Sequence, residues 1–256
     1  IIKSFEVHDI YRENSAFILS GLGEDNKRIE IKCTYLIFAC GPIASPTLLK
    51  NLCKLPKKIN LNHNGLFSFP FFSLYKIKQK PLALSNLNIS IFKSSKNKTQ
   101  KEPFAYANIF PLKPQLLLKY PLLKYLSKKI LNRLYFCTIY LNSSYTQTTI
   151  DLEKKIIIGK YKNEFYFHSY LIYIRLLGFL FKNGYSLPLF LPIFSKPGTD
   201  IHYGSTLANV KIKDELKNKI FFSDSSKIKE ISAINSTVKN LAFARLGLVE
   251  WLKKHN

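Results

Sequence analysis

The sequence predicts a fold of mixed α/β and α+β type, with parallel strands and helices at the two ends of the chain and an antiparallel sheet in the middle. Each end carries an apolar run followed by a short turn and a helical pattern, as in the strand-turn-helix units of parallel sheets. The middle carries three consecutive strand patterns separated by short turns. With 256 residues, of which 46% are hydrophobic and 14% aromatic, the chain can bury a sizeable core, which excludes a fully disordered protein.

The first strand-turn-helix unit begins with Tyr35–Cys40, a continuous apolar run that favours a strand buried on both faces. The run stops at Gly41. Ser45-Pro46 then matches a helix N-cap followed by proline at the first helical position, so we predict a short helix over residues 47–53. The first forty residues otherwise indicate short strands joined by a turn at residues 21–26.

The last sixty residues repeat this pattern. Lys219–Ser223 is a strand candidate that ends in Asp224-Ser225-Ser226. A loop then leads to Asn235, and we predict a long helix over residues 236–254. Helical spacing predicts that one face of this helix is buried, formed by Val238, Leu241, Ala242, Val249 and Leu252.

The sequence pattern in the middle of the chain predicts a layer separate from the two ends. Three runs favour successive antiparallel strands, at residues 134–141, 145–152 and 156–161. Residues 93–101 indicate a polar basic loop, and residues 115–133 mix leucine with lysine as in a helix with one solvated basic face. This layer therefore combines an antiparallel sheet with helices.

The charge of the chain is strongly positive. Lysine and arginine total 39 against 16 aspartate and glutamate residues, giving a formal net charge of +23. Such a charge favours anionic partners such as nucleic acid, anionic lipid or a phosphorylated ligand. No nucleic-acid-binding motif is present and the basic residues are dispersed, so we expect no nucleic-acid partner.

Cysteine usage and hydropathy indicate the compartment. The four cysteines form no CxxC pair and no zinc-ligand spacing, so we expect reduced thiols, no metal and a cytoplasmic location. The most apolar region, residues 165–194, is interrupted by Arg175 and Lys182 and by two prolines, which does not fit a membrane-spanning helix. A helix on a membrane surface and a core helix both remain open for this region.

Two polar segments near the end of the chain are candidates for chemistry. His202 lies in the small, polar segment Asp200–Thr206, which is not an apolar helix face. Asn235 lies where a loop enters the N-terminus of the last predicted helix. Taken alone, a single histidine is more often structural and such an asparagine is a helix cap, so neither assigns a function by itself. His63 alone indicates a loop residue rather than a ligand.

Taken together, four segments resemble the glucose-methanol-choline (GMC) family of flavin oxidoreductases. The segment His202-Tyr203-Gly204-Ser205-Thr206 is similar to the family's His-Tyr-Ala-Gly-Thr motif. The order and approximate spacing of the segments agree with the family over residues 1–63 and 196–256. The matching segments are Ala39–Leu49, Asn60–His63, His202–Thr206, and Asp224–Ser226 with Asn235–Thr237 and the helix that follows.

The resemblance implies a fold and a division of the chain. Residues 1–60 and 196–256 would form part of an FAD-binding, GMC-type domain, and residues 61–195 a substrate domain with an antiparallel sheet covered by helices. The family's FAD pyrophosphate is held by a G-x-G-x-x-G turn, which this sequence lacks. We therefore expect this chain to be the C-terminal half of such a protein and to bind FAD poorly by itself.

The resemblance also implies roles for individual residues. The reaction would be oxidation of an alcohol, with hydride transfer to flavin N5. His202 would be the base that takes the hydroxyl proton, because imidazole titrates near neutral pH, and Asn235 would hydrogen-bond the substrate oxygen without titrating. The residues expected to contact FAD are Gly41, Asp224, Ser225, Asn235 and Thr237.

Several points remain open at this stage. Ser205 stands where the family has glycine, which adds a side chain to a tight turn, and Ser236 replaces the family's proline. A basic interaction module for nucleic acid or an anionic membrane surface is the alternative function, and a family member that has lost its activity is a third. The sequence does not identify the alcohol, the electron acceptor or the oligomeric state.

Overall fold

The computed structural model of the protein describes residues 3–73, 87–92, 103–111, 125, 127–131, 133–185, 191–198, 202–233 and 237–255, with the backbone alone at residues 128 and 237–239. Three features predicted above lie wholly or largely outside the described residues: the basic loop at residues 93–101, most of the basic helix at residues 115–133, and Asn235. Within the described ranges the strands form five sheets.

The first sheet contains β1 (Glu6–Glu13), β2 (Ala16–Leu22) and β3 (Arg28–Cys33), paired antiparallel in chain order. The turn between β2 and β3 is closed by a hydrogen bond of 3.0 Å from the Asn26 amide to the Gly23 carbonyl. The β-structure predicted for the start of the chain is confirmed.

The apolar strand that follows is β4 (Leu36–Phe38), which is shorter than the predicted run. The prediction that it is buried on both faces was wrong, since Ile37 is 50% exposed whereas its two neighbours in the strand are buried. Successive side chains of a strand point to opposite faces, so Leu36 and Phe38 face the core and Ile37 faces away from it.

The first helix, α1 (Gly41–Leu49), begins six residues before the predicted start. Pro42 lies in its first turn and Pro46 lies inside it. A proline in the first helical turn removes no hydrogen bond, because that N–H has no helical partner. The pattern at Ser45-Pro46 was therefore misinterpreted, and Pro42 is the proline that fits the helix start.

The middle of the chain forms two sheets. β5 (Lys58–Asn60), β11 (Thr146–Asp151) and β12 (Ile156–Tyr161) form an antiparallel sheet in the order β12-β11-β5. The second sheet has the order β13-β7-β10-β9-β8 and is antiparallel throughout. Its strands are β7 (Gly65–Phe72), β8 (Leu87–Ile91), β9 (Ala105–Pro111), β10 (Leu134–Leu141) and β13 (Ile193–Phe194). The three strands predicted for residues 134–161 are confirmed, although β10 pairs with β7 and β9 rather than with β11.

Two helices accompany these sheets, the short α2 (Lys128–Leu131) and the long α3 (Asn163–Lys182). One face of α3 is buried in an aromatic core that also contains the inner side chains of β7, among them Phe67, Phe69 and Phe71. The rings of Phe69 and Tyr173 meet edge to face at 4.9 Å. The inner positions of α3 recur at helical spacing, at Phe165, Ser169, Ile172, Tyr173, Leu176 and Leu180.

The remaining elements complete a second core. β6 (Asn62–His63) pairs antiparallel with β14 (Tyr203–Gly204), and β15 (Ile220–Phe222) pairs parallel with β4. Along the chain, α4 (Asp214–Lys217) lies between β14 and β15, and α5 (Thr237–Lys253) is the last helix. The buried apolar residues of this core come from both ends of the chain and from β11.

The orientation of α5 differs from the prediction. Leu241 is 66% exposed, and Val249 and Leu252 are also exposed. The side that faces the body contains Gly247 and Trp251. A side chain at Gly247 would meet the Phe221 ring at 3.3 Å, and Trp251 packs at 5.4 Å on the ring of Tyr35. A small residue permits close approach and a large ring fills the remaining space, so these two residues decide which side faces inward.

Among the helices of the described residues, none is both long and apolar enough to cross a membrane.

Candidate functional site

The candidate site lies where the two parallel strands end. β4 and β15 pair in register from Leu36 with Ile220 to Phe38 with Phe222, so both carboxyl ends reach the same edge of the sheet. Gly41 lies three residues after the end of β4, and Asp224 lies two residues after the end of β15. Ligands of parallel α/β sheets bind outside the carboxyl ends of the strands, so the topology places both residues at an edge suited to a ligand.

The carboxylate of Asp224 ties the two strand ends together. Its Oδ2 atom accepts hydrogen bonds from the Gly41 amide at 3.0 Å and from the Ser45 hydroxyl at 2.5 Å. Its Oδ1 atom accepts from the Ser226 amide at 2.9 Å. This hydrogen bond caps the N-terminus of a one-turn 3₁₀ helix at residues 225–227. A carboxylate at the N-terminus of α1 is favoured by the partial positive charge of the helix. Asp224 therefore fixes the start of α1 relative to β15.

Gly41 meets a conformational requirement and leaves open space. Its φ angle is +90°, in the region that favours glycine, and a Cβ atom at this position would have no atom of the described residues within 4 Å. The backbone conformation, and not crowding by the described part of the chain, is therefore the reason for glycine. The amino end of α1 is open at this position, within the described residues.

Lys227 borders the same turn. Its ammonium donates to the Val210 carbonyl at 3.2 Å and lies 5.3 Å above the ring centre of Phe222. Burial lowers the pKa of Lys227, an effect that the thiol of Cys53 partly offsets. The contact with the ring face is an attractive cation–π interaction, which helps to hold the turn against β15.

Ser225 connects this edge to the segment of His202. Its hydroxyl donates to the Tyr203 carbonyl at 2.7 Å, so the residue after His202 is fixed to the strand edge. The imidazole of His202 is half-buried, and its ring centre lies 6.1 Å from that of Tyr140 on β10. Among the predicted site residues, the structure thus brings Gly41, Asp224 and Ser225 together and attaches the His202 segment to them.

The two residues after Tyr203 explain the local sequence. A side chain at Gly204 would meet the Ser225 carbonyl oxygen at 2.9 Å and the Ile231 side chain at 2.5 Å. Ser205 has a φ angle of +68°, the left-handed region, and its hydroxyl donates to the Lys229 carbonyl at 3.1 Å. The position where the resembling family has glycine therefore keeps a glycine-like backbone here, and a hydrogen bond partly compensates the strain of serine.

The segment that leads toward Asn235 is held by three residues to which the sequence assigned no such role. The side-chain amide of Asn62 donates to the Lys229 carbonyl at 2.9 Å, and the side-chain amide of Asn64 donates to the Ser232 carbonyl at 2.8 Å. Ser143 exchanges two hydrogen bonds of 3.0 Å with the backbone of Ile231. The sequence signal for these contacts was the asparagine-rich run Asn60–Asn64. Two of its side chains donate hydrogen bonds to the loop carbonyls of Lys229 and Ser232, which lie outside the strands.

His63 was wrongly expected to be a loop residue. It belongs to β6 and is completely buried. Its Nδ1 lies 2.8 Å from the Asn64 carbonyl oxygen and its Nε2 lies 2.8 Å from the Thr148 hydroxyl. Because a carbonyl can only accept, Nδ1 carries the proton and Nε2 accepts from the threonine. His63 is a structural histidine that joins β6 to β11.

Two of the predicted site residues, Asn235 and Thr237, are not described with their side chains. Asn235 lies outside the described residues, and Thr237 begins α5 with its backbone alone described. The described neighbours of Asn235 are Ala233, which is buried, and the first turn of α5. The roles assigned to Asn235 and Thr237 therefore remain predictions.

The fold is similar to that of a known oxidase. No family model matches the chain, and no curated protein is similar to it. Among solved structures, pyridoxine 4-oxidase from Mesorbium loti matches 94% of this chain with a TM-score of 0.61 and 14% sequence identity. The match covers 56% of that oxidase, so the chain spans little more than half of its length. The predicted fold class, mixed α/β with antiparallel sheets, is thereby confirmed.

Proposed function

We propose that the chain is the C-terminal portion of a GMC-type, FAD-dependent oxidoreductase that oxidises a CH–OH group. The observation that carries this proposal is the tie between the two parallel strand ends, where Asp224 accepts from the Gly41 amide and Ser225 donates to the residue after His202. Because of these two hydrogen bonds, we assign the cofactor site to the strand edge and the base to the segment attached to it. It is supported further by the fold shared with an oxidase.

The chemistry assigned to the chain is proton handling. His202 takes the proton of the substrate hydroxyl, a role that imidazole side chains fill most often in enzymes. Asn235 donates a hydrogen bond to the substrate oxygen, on which negative charge develops as the proton leaves. The positive end of α5 begins two residues later, at Thr237, and favours negative charge in the same region by about 0.3 to 2 kcal/mol.

The residues assigned to the cofactor lie at the strand edge. FAD, when bound, supplies the N5 atom that accepts the hydride. Gly41 leaves room for the cofactor at the start of α1, and Asp224 holds the backbone of that start in place. Ser225 and Thr237 are the further predicted contacts. The chain contributes no G-x-G-x-x-G turn for the pyrophosphate, so the proposal requires that another segment supply it.

The exposed apolar surface around α5 supports such a segment. Phe243 and Leu246, three residues apart on α5, are each 63% exposed. Large exposed apolar side chains next to one another are typical of an interface. We assign the α5 surface formed by Phe243 and Leu246 to packing against the segment that carries the pyrophosphate site.

The test uses the intact protein and two histidine variants. A flavin absorbance spectrum and anaerobic flavin reduction are measured with a panel of alcohols that includes pyridoxine, a sugar, a sterol and an aliphatic alcohol. With an alcohol that reduces the wild-type flavin, His202→Ala is expected to slow reduction by about 10² to 10⁴-fold, the usual contribution of a general base. His8→Ala, at an exposed position on β1, is the matched control and should reduce its flavin at the wild-type rate.

Three outcomes would contradict the proposal. A protein without flavin would reject the cofactor, and an unchanged rate in His202→Ala would reject the base. Strong binding of duplex DNA at physiological salt, in the absence of flavin, would instead favour the basic interaction module. For the 256-residue chain by itself we expect weak FAD binding, and tight binding would contradict the division of the cofactor site.

A further inference from the structure

The helix α3 has two apolar faces, and only one of them is covered. Its inner face packs on the five-stranded sheet through residues such as Phe165 and Leu180, which are completely buried. The opposite side of an amphipathic helix normally carries polar residues. In α3 that side also carries large apolar side chains, which are exposed within the described part of the chain.

The outer face forms a continuous stripe along the helix axis. Phe167, Ile174 and Phe181 are 63%, 62% and 62% exposed, and Leu171 between them is 38% exposed. These positions follow one another at intervals of three, four or seven residues, and at about 100° per residue they lie within one quarter of the helix circumference. The stripe defined by Phe167, Leu171, Ile174 and Phe181 is called the α3 stripe below.

Polar groups border the α3 stripe on both sides. At about 100° per residue, Arg175 and Lys182 lie along one edge, which also carries Glu164 in the first turn, and Tyr166 and Tyr170 lie along the other. Tyrosine rings and long basic side chains are the groups that sit at the boundary between hydrocarbon and lipid headgroups, because each combines an apolar body with a polar end. The stripe and its borders therefore match the chemistry of a membrane interface.

The charge of the surrounding chain identifies the partner further. Residues 31–199 contain 25 lysine and arginine residues and four acidic residues, Glu102, Asp151, Glu153 and Glu164. No acidic residue occurs between positions 165 and 199. The excess positive charge of the protein is thus concentrated in the part of the chain that carries α3. A chain segment of this charge attracts anionic lipid headgroups.

We propose that the α3 stripe docks on an anionic lipid membrane, with the helix lying in the plane of the interface. Burial of the apolar side chains supplies a short-range contribution, and the basic residues supply the longer-range attraction. A second copy of the chain is disfavoured as the occupant, because it would bring the same net charge of +23 against this face. The proposal is independent of the flavin chemistry.

The test measures sedimentation of the intact protein with vesicles of phosphatidylcholine, with and without 30% phosphatidylserine. We expect binding to the anionic vesicles, little binding to the neutral ones, and loss of binding as the salt concentration rises. Phe167→Asp combined with Ile174→Asp should weaken binding at least tenfold. Both side chains are more than 60% exposed, so the fold should be retained, which circular dichroism and thermal unfolding check.

The matched control is a double variant on another exposed apolar surface. Ile156→Asp with Ile158→Asp on β12 changes the same number of side chains, at 44% and 49% exposure, and should leave binding within about twofold of the wild type. Equal binding by the wild-type protein and the α3 variant would overturn the proposal. So would binding that only the β12 variant loses, or a dimer in solution that the α3 variant dissociates.

Discussion

The five-stranded sheet and the strand edge at Gly41 and Asp224 are built from different interactions. The sheet and α3 share an aromatic core in which Phe67, Phe69 and Phe71 are completely buried. The strand edge depends on single hydrogen bonds between distant parts of the chain, such as that between Gly41 and Asp224, 183 residues apart. The comparison indicates that buried aromatic packing holds the sheet region, whereas the geometry of the strand edge depends on a few polar contacts.

The largest effect is expected in the sheet region. Phe165→Ala removes a completely buried ring that stacks on Tyr161 with 3.9 Å between ring centres. The lost burial and the remaining cavity should lower the free energy of unfolding by about 3 to 5 kcal/mol. Urea unfolding followed by circular dichroism measures this change.

Phe167→Ala, two residues further along the same helix, is the control for that experiment. Its ring is 63% exposed, and truncation at such a position usually changes stability by no more than about 0.5 kcal/mol. Equal losses for the two variants would contradict the assignment of an inner and an outer face of α3.

An intermediate effect is expected at the strand edge. Asp224→Ala leaves the Gly41 and Ser226 amides and the Ser45 hydroxyl without their common acceptor. Loss of hydrogen bonds to a charged group should lower the free energy of unfolding by about 2 kcal/mol. Asp25→Ala is the control, since its carboxylate lies at the surface and contacts Lys27 at 3.4 Å, and it should change stability by less than about 0.5 kcal/mol.

If Asp224 only filled space, Asp224→Asn would be as stable as the wild type and Asp224→Ala nearly so. A graded loss, with asparagine between aspartate and alanine, is the result expected for an acceptor. Wild-type stability in both variants would break the comparison, because the strand edge would then not depend on this carboxylate.

The smallest effect is expected at Ser205. Ser205→Gly relieves a left-handed backbone but loses the hydrogen bond to the Lys229 carbonyl, whereas Ser205→Ala loses the same bond and keeps the strain. The glycine variant should be more stable than the alanine variant by about 1 kcal/mol in urea unfolding. A glycine variant that is less stable than the alanine variant would show that the positive φ angle imposes no strain.

The same difference explains what the sequence could and could not predict. The strands and α3 follow from apolar periodicity, which is local, so the strand patterns at residues 134–161 were correct. The start of α1 was predicted wrongly because Pro42 and Pro46 both suit the first turn of a helix. The hydrogen bond from the Gly41 amide to Asp224, which the sequence does not show, marks where the helix begins.

The inward side of α5 was predicted wrongly for a related reason. Its apolar residues occur all around the helix, and the choice of face depends on the fit of Gly247 and Trp251 against Phe221 and Tyr35. Likewise, the segment Lys229–Ser232 is held by Asn62, Asn64 and Ser143 through single side chains. Such contacts connect positions far apart in the chain and leave no periodic pattern in the sequence.

The central claim is that an imidazole and a carboxamide act on one substrate oxygen. The most direct measurement is a crystal structure of the intact protein with FAD bound. We predict that a ring nitrogen of His202 and the side-chain amide of Asn235 both lie within about 3 Å of a single point beside the flavin ring, as hydrogen bonding to one oxygen requires. Side chains too far apart to reach a common point, or lining separate cavities, would contradict the account.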